Sequence, residues 1–228
     1  MPVITIANPK GGSGKSTTAL VLGTTLASHG ARVALIDCDP NQPLKAWRTG
    51  LSDTTAVIVP DMSESKIIPV IDSERAARQF VIIDLEGTAS RMVSRAIARS
   101  DLVLIPMAAS ALDAAQAARA VSLIHEEEQL MNRRIAHRVL FTRTNPQIPS
   151  KNEKLIMAEL QRTQVPILKT HLNLRTAFMT MFTAKRTLRE LDPSQVNGLD
   201  AAIKNADDLA AEIVAVIKKI QQEKRSAA

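Results

Sequence analysis

At 228 residues, 45% of them apolar, the chain can bury a full core as one domain. Its longest apolar runs are only strand-length, its N-terminus lacks the pattern of a secretory signal, and its single cysteine, Cys38, excludes a disulfide framework and a two-cysteine metal cluster. The net charge of +6 is uneven: from Met131 to Arg189 there are twelve basic residues against two acids, Glu153 and Glu159, leaving the rest net acidic. Such segregation suits a polyanionic partner, nucleic acid or acidic lipid.

In chain order, the apolar run Val3 to Ala7 predicts a strand, and Asn8-Pro9-Lys10-Gly11-Gly12-Ser13-Gly14-Lys15-Ser16-Thr17 follows it. Strand, glycine loop and helix start are the parts of a P-loop. Gly11, Gly12 and Gly14 let the backbone take positive φ values so that its N–H groups ring a phosphate chain, Lys15 suits the β- and γ-phosphates, and the Ser16 hydroxyl suits Mg²⁺. The helix opening near Ser16 adds unpaired N–H groups and a positive dipole end, and Gly30 ends it. Lys10, on the rim five positions before Lys15, is a second ammonium that one nucleotide does not need.

Arg32 to Ile36 predicts a strand buried on both faces, delivering Asp37-Cys38-Asp39-Pro40 at its C-terminal end. Two acids there ask for a partner, which Mg²⁺ and an attacking water supply. A short helix around Leu44 to Trp47, a strand Thr55 to Val59 and a helix Ile67 to Gln79 follow, with Trp47 assigned to packing. Phe80 to Asp84 has the Walker-B form, an apolar strand ending in an acid for Mg²⁺. Gly87 in the following segment is a candidate hinge.

Further on, the sequence predicts a helix Arg91 to Arg99, a strand Leu102 to Pro106, a helix from Ser110 to about Met131 and a strand Val139 to Phe141. Then come a helix Lys151 to Gln161 with Leu155, Ile156 and Leu160 inward, and a strand Val165 to Leu168. The last helix, Leu199 to about Glu223, places Leu209, Ile213, Val216, Ile217 and Ile220 on one face, suited to docking on the core. The alternation predicts an α/β, doubly wound, mostly parallel sheet with helices on both faces.

The Lys-Gly-Gly-x-Gly-Lys-Ser pattern resembles the deviant Walker-A motif of the ParA/MinD ATPases. Asp37-Cys38-Asp39-Pro40 resembles their Asp-x-Asp-Pro-Gln switch I, Phe80 to Asp84 their Walker-B, and Asp101 to Pro106 with Ser110-x-Leu112-Asp113 a further family block. The resemblance extends to the short ParF-like plasmid partition proteins. It implies hydrolysis of ATP with Mg²⁺, Lys10 reaching the nucleotide of a second subunit, and an ATP-dependent homodimer, a higher polymer being left open. It further implies Ser16, Asp37, Asp39 and Asp84 around the metal, Asp39 ordering the attacking water, and Thr142-Arg143 near the adenine.

On the same resemblance Arg175 lies at a DNA-binding face, with Lys185 and Arg186 one or two turns later if helical. The paucity of aromatic residues points to phosphate contact without sequence preference. The implied partners are nonspecific DNA and a ParB- or ParG-like centromere-binding protein, with no membrane, in the cytoplasm on the nucleoid. Two departures stand out: Asp84-Leu85-Glu86-Gly87 replaces Asp-x-Pro-Pro, and Thr142 replaces the asparagine of Asn-Arg. Competing expectations are a MinD-like positioning ATPase on membranes, a metabolic P-loop ligase or kinase, and a nucleotide-binding module without turnover.

Overall fold

The computed structural model describes residues 1–87 and 90–226. Seven parallel strands form one sheet in the order β3-β2-β4-β1-β5-β6-β7, where β1 is Val3–Ile6, β2 Val33–Cys38, β3 Val57–Val59, β4 Phe80–Leu85, β5 Leu102–Met107, β6 Ala136–Thr144 and β7 Leu172–Asn173. β1 lies at the centre, pairing with β4 (Ile6 opposite Asp84) and with β5 (Ile6 opposite Leu104). Every residue of β1, β2 and β5 is buried, which explains their unbroken apolar runs: in a parallel sheet both faces are covered by helices.

The strand period of two sends alternate side chains to two separate cores. Ile4 and Ile6 join the core beneath α1 (Lys15–Ser28), α2 (Pro43–Arg48), α7 (Thr176–Ala184) and α8 (Leu199–Ser226). Val3 and Ala7 join the core beneath α3 (Ile67–Ala77), α4 (Arg91–Arg99), α5 (Ala111–Met131) and α6 (Lys151–Arg162). In α8, Leu209, Ile213, Ile217 and Ile220 are buried and Val216 partly so, so this face lies on the core with α1. Gly23 explains how closely α1 approaches the sheet: a Cβ there would sit 2.6 Å from Leu35 Cδ2.

Three expectations about the second half need correction. Leu155 is 69% exposed, and the inward residues of α6 are Glu153, Ile156, Met157 and Leu160. Glu153 tolerates burial because its carboxylate lies 3.3 Å from His171 Nδ1, whose ring in turn stacks near Phe141. The segment Val165 to Leu168 makes only an isolated bridge, Val139 with Ile167, and the edge strand is instead Leu172–Asn173. Finally, α7 stops at Ala184, with Lys185 as a left-handed cap (φ 52°), so Lys185 and Arg186 do not continue the helix that Arg175 opens.

Candidate nucleotide site

The C-terminal ends of β1, β2, β4 and β6 converge on a cleft of ≈ 420 Å³ lined by Gly11, Gly12, Gly14, Lys15, Ser16, Thr17, Asp39, Pro40, Asn41, Glu86, Gly87 and Arg143. This volume falls in the range of small-molecule sites, at the edge where open α/β sheets bind ligands. Gly12 (φ 72°) and Gly14 (φ 99°) take positive φ as expected, Gly11 does not, and Gly14 opens α1. Its backbone carbonyl accepts from the Thr18 amide at 2.8 Å and from the Thr18 hydroxyl at 2.8 Å, so α1 starts hard against the loop.

Asn8, buried and without an assigned role in the sequence reading, fixes the loop at its origin. Its Nδ2 donates to the Pro106 carbonyl at 2.8 Å and its Oδ1 accepts from the Lys10 amide at 2.8 Å, tying the loop to the end of β5. From β6, the Thr142 hydroxyl donates to the Ser13 carbonyl at 3.0 Å and the Arg143 guanidinium donates to the Gly12 carbonyl. Both residues of the predicted adenine pair thus hold the backbone of the phosphate loop. Arg143 adopts φ 56°, a left-handed conformation that turns the chain at the end of β6.

Lys15 is buried, and its Nζ donates to the Lys10 carbonyl at 3.1 Å. Burial pulls its pKa below the usual lysine value, while the nearby carboxylates of Asp84, Asp39 and Glu86 act against that. Lys10 is turned the other way: its Nζ lies 2.7 Å from Asp113 Oδ2, at the first turn of α5. Burial raises the Asp113 carboxyl, but the Lys10 and Ser110 hydrogen bonds outweigh it and hold the pKa below the ordinary range. Ser110 caps α5 through the Asp113 amide at 3.1 Å, so the acid that holds Lys10 is itself fixed by the helix start.

The three acids differ in environment. Asp84, fully buried, has neither carboxylate oxygen hydrogen-bonded among the described residues; burial pushes its pKa up to about 7, and the Ser16 hydroxyl nearby offsets this only in part. An orphaned buried carboxylate at the foot of a phosphate loop is what a divalent cation would complete. Among the described residues no three His, Cys, Asp or Glu side chains form a metal cage, so such an ion would draw further ligands from phosphate and water.

Asp37, by contrast, is occupied. Although its register partner is Asp84, its Oδ2 accepts from the amides of Leu44 (2.9 Å) and Lys45 (3.0 Å), and its Oδ1 from the Asp39 amide at 3.3 Å. Asp37, expected near the metal, has its oxygens bonded to the start of α2 and to the Asp39 amide, and burial raises its pKa despite those bonds. Asp39 is half-buried on the cleft wall and uses Oδ1 to hold the Asn41 amide (2.8 Å) and Nδ2 (3.0 Å).

The predicted DNA residues are not gathered in one patch. Arg175 opens α7, half-buried, with its Nε buried and unpaired among the described residues. At the opposite end of α7, Lys185 Nζ donates to Thr49 Oγ1 at 2.7 Å and Arg186 to the Leu51 carbonyl, closing on the loop after α2. A second cleft, of ≈ 250 Å³ between α1 and α8, is walled by the Arg189–Asp207 pair and by Glu190, polar groups already bonded to one another or to backbone amides.

The parallel α/β fold and its glycine loop belong, on sequence, to a ParA-like protein. The family described as VirC1 protein matches residues 1–188, and the chain belongs to it. The chain is 44% identical to a protein named ParA from Rhizobium radiobacter over 97% of this chain and 99% of that one. Among solved structures it resembles an ATP complex of a Cyanothece McdA variant (TM-score 0.73, 19% identity, covering 93% of this chain and 96% of that one). It also resembles a plasmid partition protein from Borrelia burgdorferi bound to AMPPNP (TM-score 0.67, 19% identity, covering 98% and 99%). At such identity the two structures speak for the fold alone.

Proposed function

We infer that the chain is a partition ATPase that hydrolyses ATP with Mg²⁺, dimerises around the nucleotide and rides on DNA. The observation that carries this reading is the pairing of an orphaned carboxylate, Asp84, at the floor of the phosphate loop with a spare ammonium, Lys10, at its rim. The first suits a cation that arrives with the substrate. The second is held in reserve by Asp113 and is not needed for the nucleotide of its own chain.

On this reading the amides from Gly11 to Thr17 and the Lys15 ammonium bind the triphosphate. Ser16 and Asp84 would hold Mg²⁺, which would supply neutralisation of phosphate charge. Asp39, with Oδ1 tied to Asn41, offers Oδ2 to the attacking water. A carboxylate near a divalent cation is a weak base, so Asp39 orients more than it deprotonates. Lys10 of each subunit would leave Asp113 and pair with phosphate charge on the other's nucleotide, making dimerisation conditional on ATP.

DNA contact would fall to the basic segment, with Arg175, Lys185 and Arg186 at the two ends of α7 meeting backbone phosphates. A small centromere-binding protein of the ParB or ParG kind would stimulate turnover, and the chain would work in the cytoplasm on the nucleoid. No helix among the described residues is long and apolar enough to cross a membrane. The deciding experiment is size-exclusion chromatography and DNA binding of one sample with ADP and with a slowly hydrolysed ATP analogue. Dimer and DNA affinity that appear only with the analogue support the reading; a monomer with equal DNA affinity in both would overturn it.

A further inference from the structure

One charged group in the cleft has no assigned task. Glu86, half-buried, follows the buried end of β4 and lines the cleft together with Lys15, Ser16 and Asp39. Its carboxylate makes no hydrogen bond or ion pair among the described residues, although three cations stand around the loop. Each of those cations is already engaged: Lys10 by Asp113, Lys15 by the Lys10 carbonyl, Arg143 by the Gly12 carbonyl.

The position of Glu86 is tightly set. On one side is β4, buried and paired on both edges. On the other, Gly87 lies so close to the phosphate loop that a Cβ would be 3.2 Å from the Gly11 amide nitrogen, 3.3 Å from the Pro9 carbonyl oxygen and 3.4 Å from the Lys10 carbonyl carbon. Glu86 is thus held at the loop between a strand end and a backbone contact. A free carboxylate beside a triphosphate repels it and weakens substrate binding, a cost that a hydrogen donor between the two lessens without removing. Water is the donor that enters with the nucleotide.

We propose that Glu86 is a second hydrolytic carboxylate, sharing with Asp39 the orientation of the water that attacks the γ-phosphate. Glu86 accepts one hydrogen bond from that water, leaving its lone pair directed at phosphorus. The water oxygen then bonds to the γ-phosphorus, the bond to the β–γ bridging oxygen breaks with its electron pair on ADP, and the water's proton passes to the released phosphate or to solvent. This rests on the ATPase reading above and adds a residue to it.

The test uses the full chain as wild type, Glu86→Gln, Glu86→Asp and Asp39→Ala. Two quantities are measured: affinity for a fluorescent ATP analogue, in EDTA and in Mg²⁺, and phosphate release at saturating ATP. Glu86→Gln removes a negative charge from the cleft, so it is expected to bind the analogue several-fold tighter in EDTA and to release phosphate about tenfold more slowly. Glu86→Asp, which withdraws the carboxylate by one methylene, is expected to fall between wild type and Gln in rate, with affinity near wild type. A merely structural residue would lose affinity and rate together. That result, or Glu86→Gln turning over at the wild-type rate, overturns the proposal. If the wild type itself releases no phosphate, the ATPase reading fails; with wild-type turnover present and Glu86→Gln unaffected, only the role of Glu86 fails.

Discussion

Lys10 Nζ and Asp113 Oδ2 lie 2.7 Å apart although 103 positions separate them in the chain. The pair joins the rim of the phosphate loop to the first turn of α5, and its acid is only 5% exposed. A charge-assisted bond in this setting contributes about 1 to 2 kcal/mol. If Lys10 must leave it for the nucleotide of a second subunit, that contribution opposes dimerisation.

Asp113→Asn is therefore expected to lower the ATP-analogue concentration for half-dimerisation by about fivefold, while Lys10→Ala abolishes the dimer. Sedimentation velocity across a nucleotide titration reads both. An unchanged midpoint in Asp113→Asn would show that the Lys10–Asp113 contact opposes nothing.

Asp84 yields a prediction about the nucleotide-free protein. With burial pushing its pKa up to about 7, at pH 8 its carboxyl must ionise while buried and without a hydrogen-bond partner among the described residues. Asp84→Asn is then expected to raise the melting temperature at pH 8 more than at pH 5, where the wild-type group is already neutral. The further rise on adding ATP with Mg²⁺ is expected to disappear in the variant. Thermal melts at both pH values, with and without nucleotide, test each half separately.

His171, partly buried against Phe141, has its pKa lowered by burial more than Glu153 raises it. A histidine whose folded pKa is depressed contributes stability above its unfolded value of about 6.5 and loses it as pH falls through the folded value. Because buried acids elsewhere shift stability in the opposite sense, the quantity to follow is the difference between wild type and His171→Gln in urea midpoint. That difference should change in favour of the variant as pH falls below about 6.5; a difference flat from pH 8 to pH 5 would contradict the assignment.

Gly23→Ala is a test of the helix-to-sheet fit. The added methyl would stand 2.6 Å from Leu35 Cδ2 and 2.9 Å from Cγ, inside a fully buried side chain. The gain in helix propensity is under about 1 kcal/mol, and overpacking costs about 1 to 3 kcal/mol, so a net loss is expected in urea unfolding. Nucleotide affinity should fall little, because the loop lies at the other end of α1.

For DNA, Arg175→Glu is expected to weaken binding about tenfold or more at low salt and to flatten its dependence on salt, as removal of a phosphate contact does. Lys185→Ala is expected to do less, because its ammonium is already bonded to Thr49. Fluorescence anisotropy with two duplexes of unrelated sequence measures this; full affinity in Arg175→Glu at low salt would count against that end of α7.

The sheet was legible because its strands are buried on both faces: Val33 to Ile36, Phe80 to Ile83 and Leu102 to Ile105 are apolar without alternation, and the first two run into the acids Asp37 and Asp84. The phosphate loop was legible because glycine takes φ 72° and φ 99° at positions 12 and 14 without the cost a Cβ would add. The outer edge was less so. Leu155 reads as a core residue by type, yet α6 turns Glu153 inward because His171, on a distant segment, supplies its partner. The work of Asp37, Asp113 and Asn8 was hidden for the same reason: each acts on a group brought to it by folding, the amides of α2, the Lys10 ammonium and the Pro106 carbonyl. Their burial as polar residues was the one trace that a sequence cannot display.

The grip of Asp37 on α2 reaches further than the strand end that bears it. The helix that hangs from this carboxylate carries Trp47, whose indole N–H donates to the Met181 carbonyl at 3.0 Å in the middle of α7. Hydrogen bonds at opposite ends of α2 thus tie the end of β2 to the middle of α7, so a substitution that frees α2 from Asp37 would also strain its hold on α7.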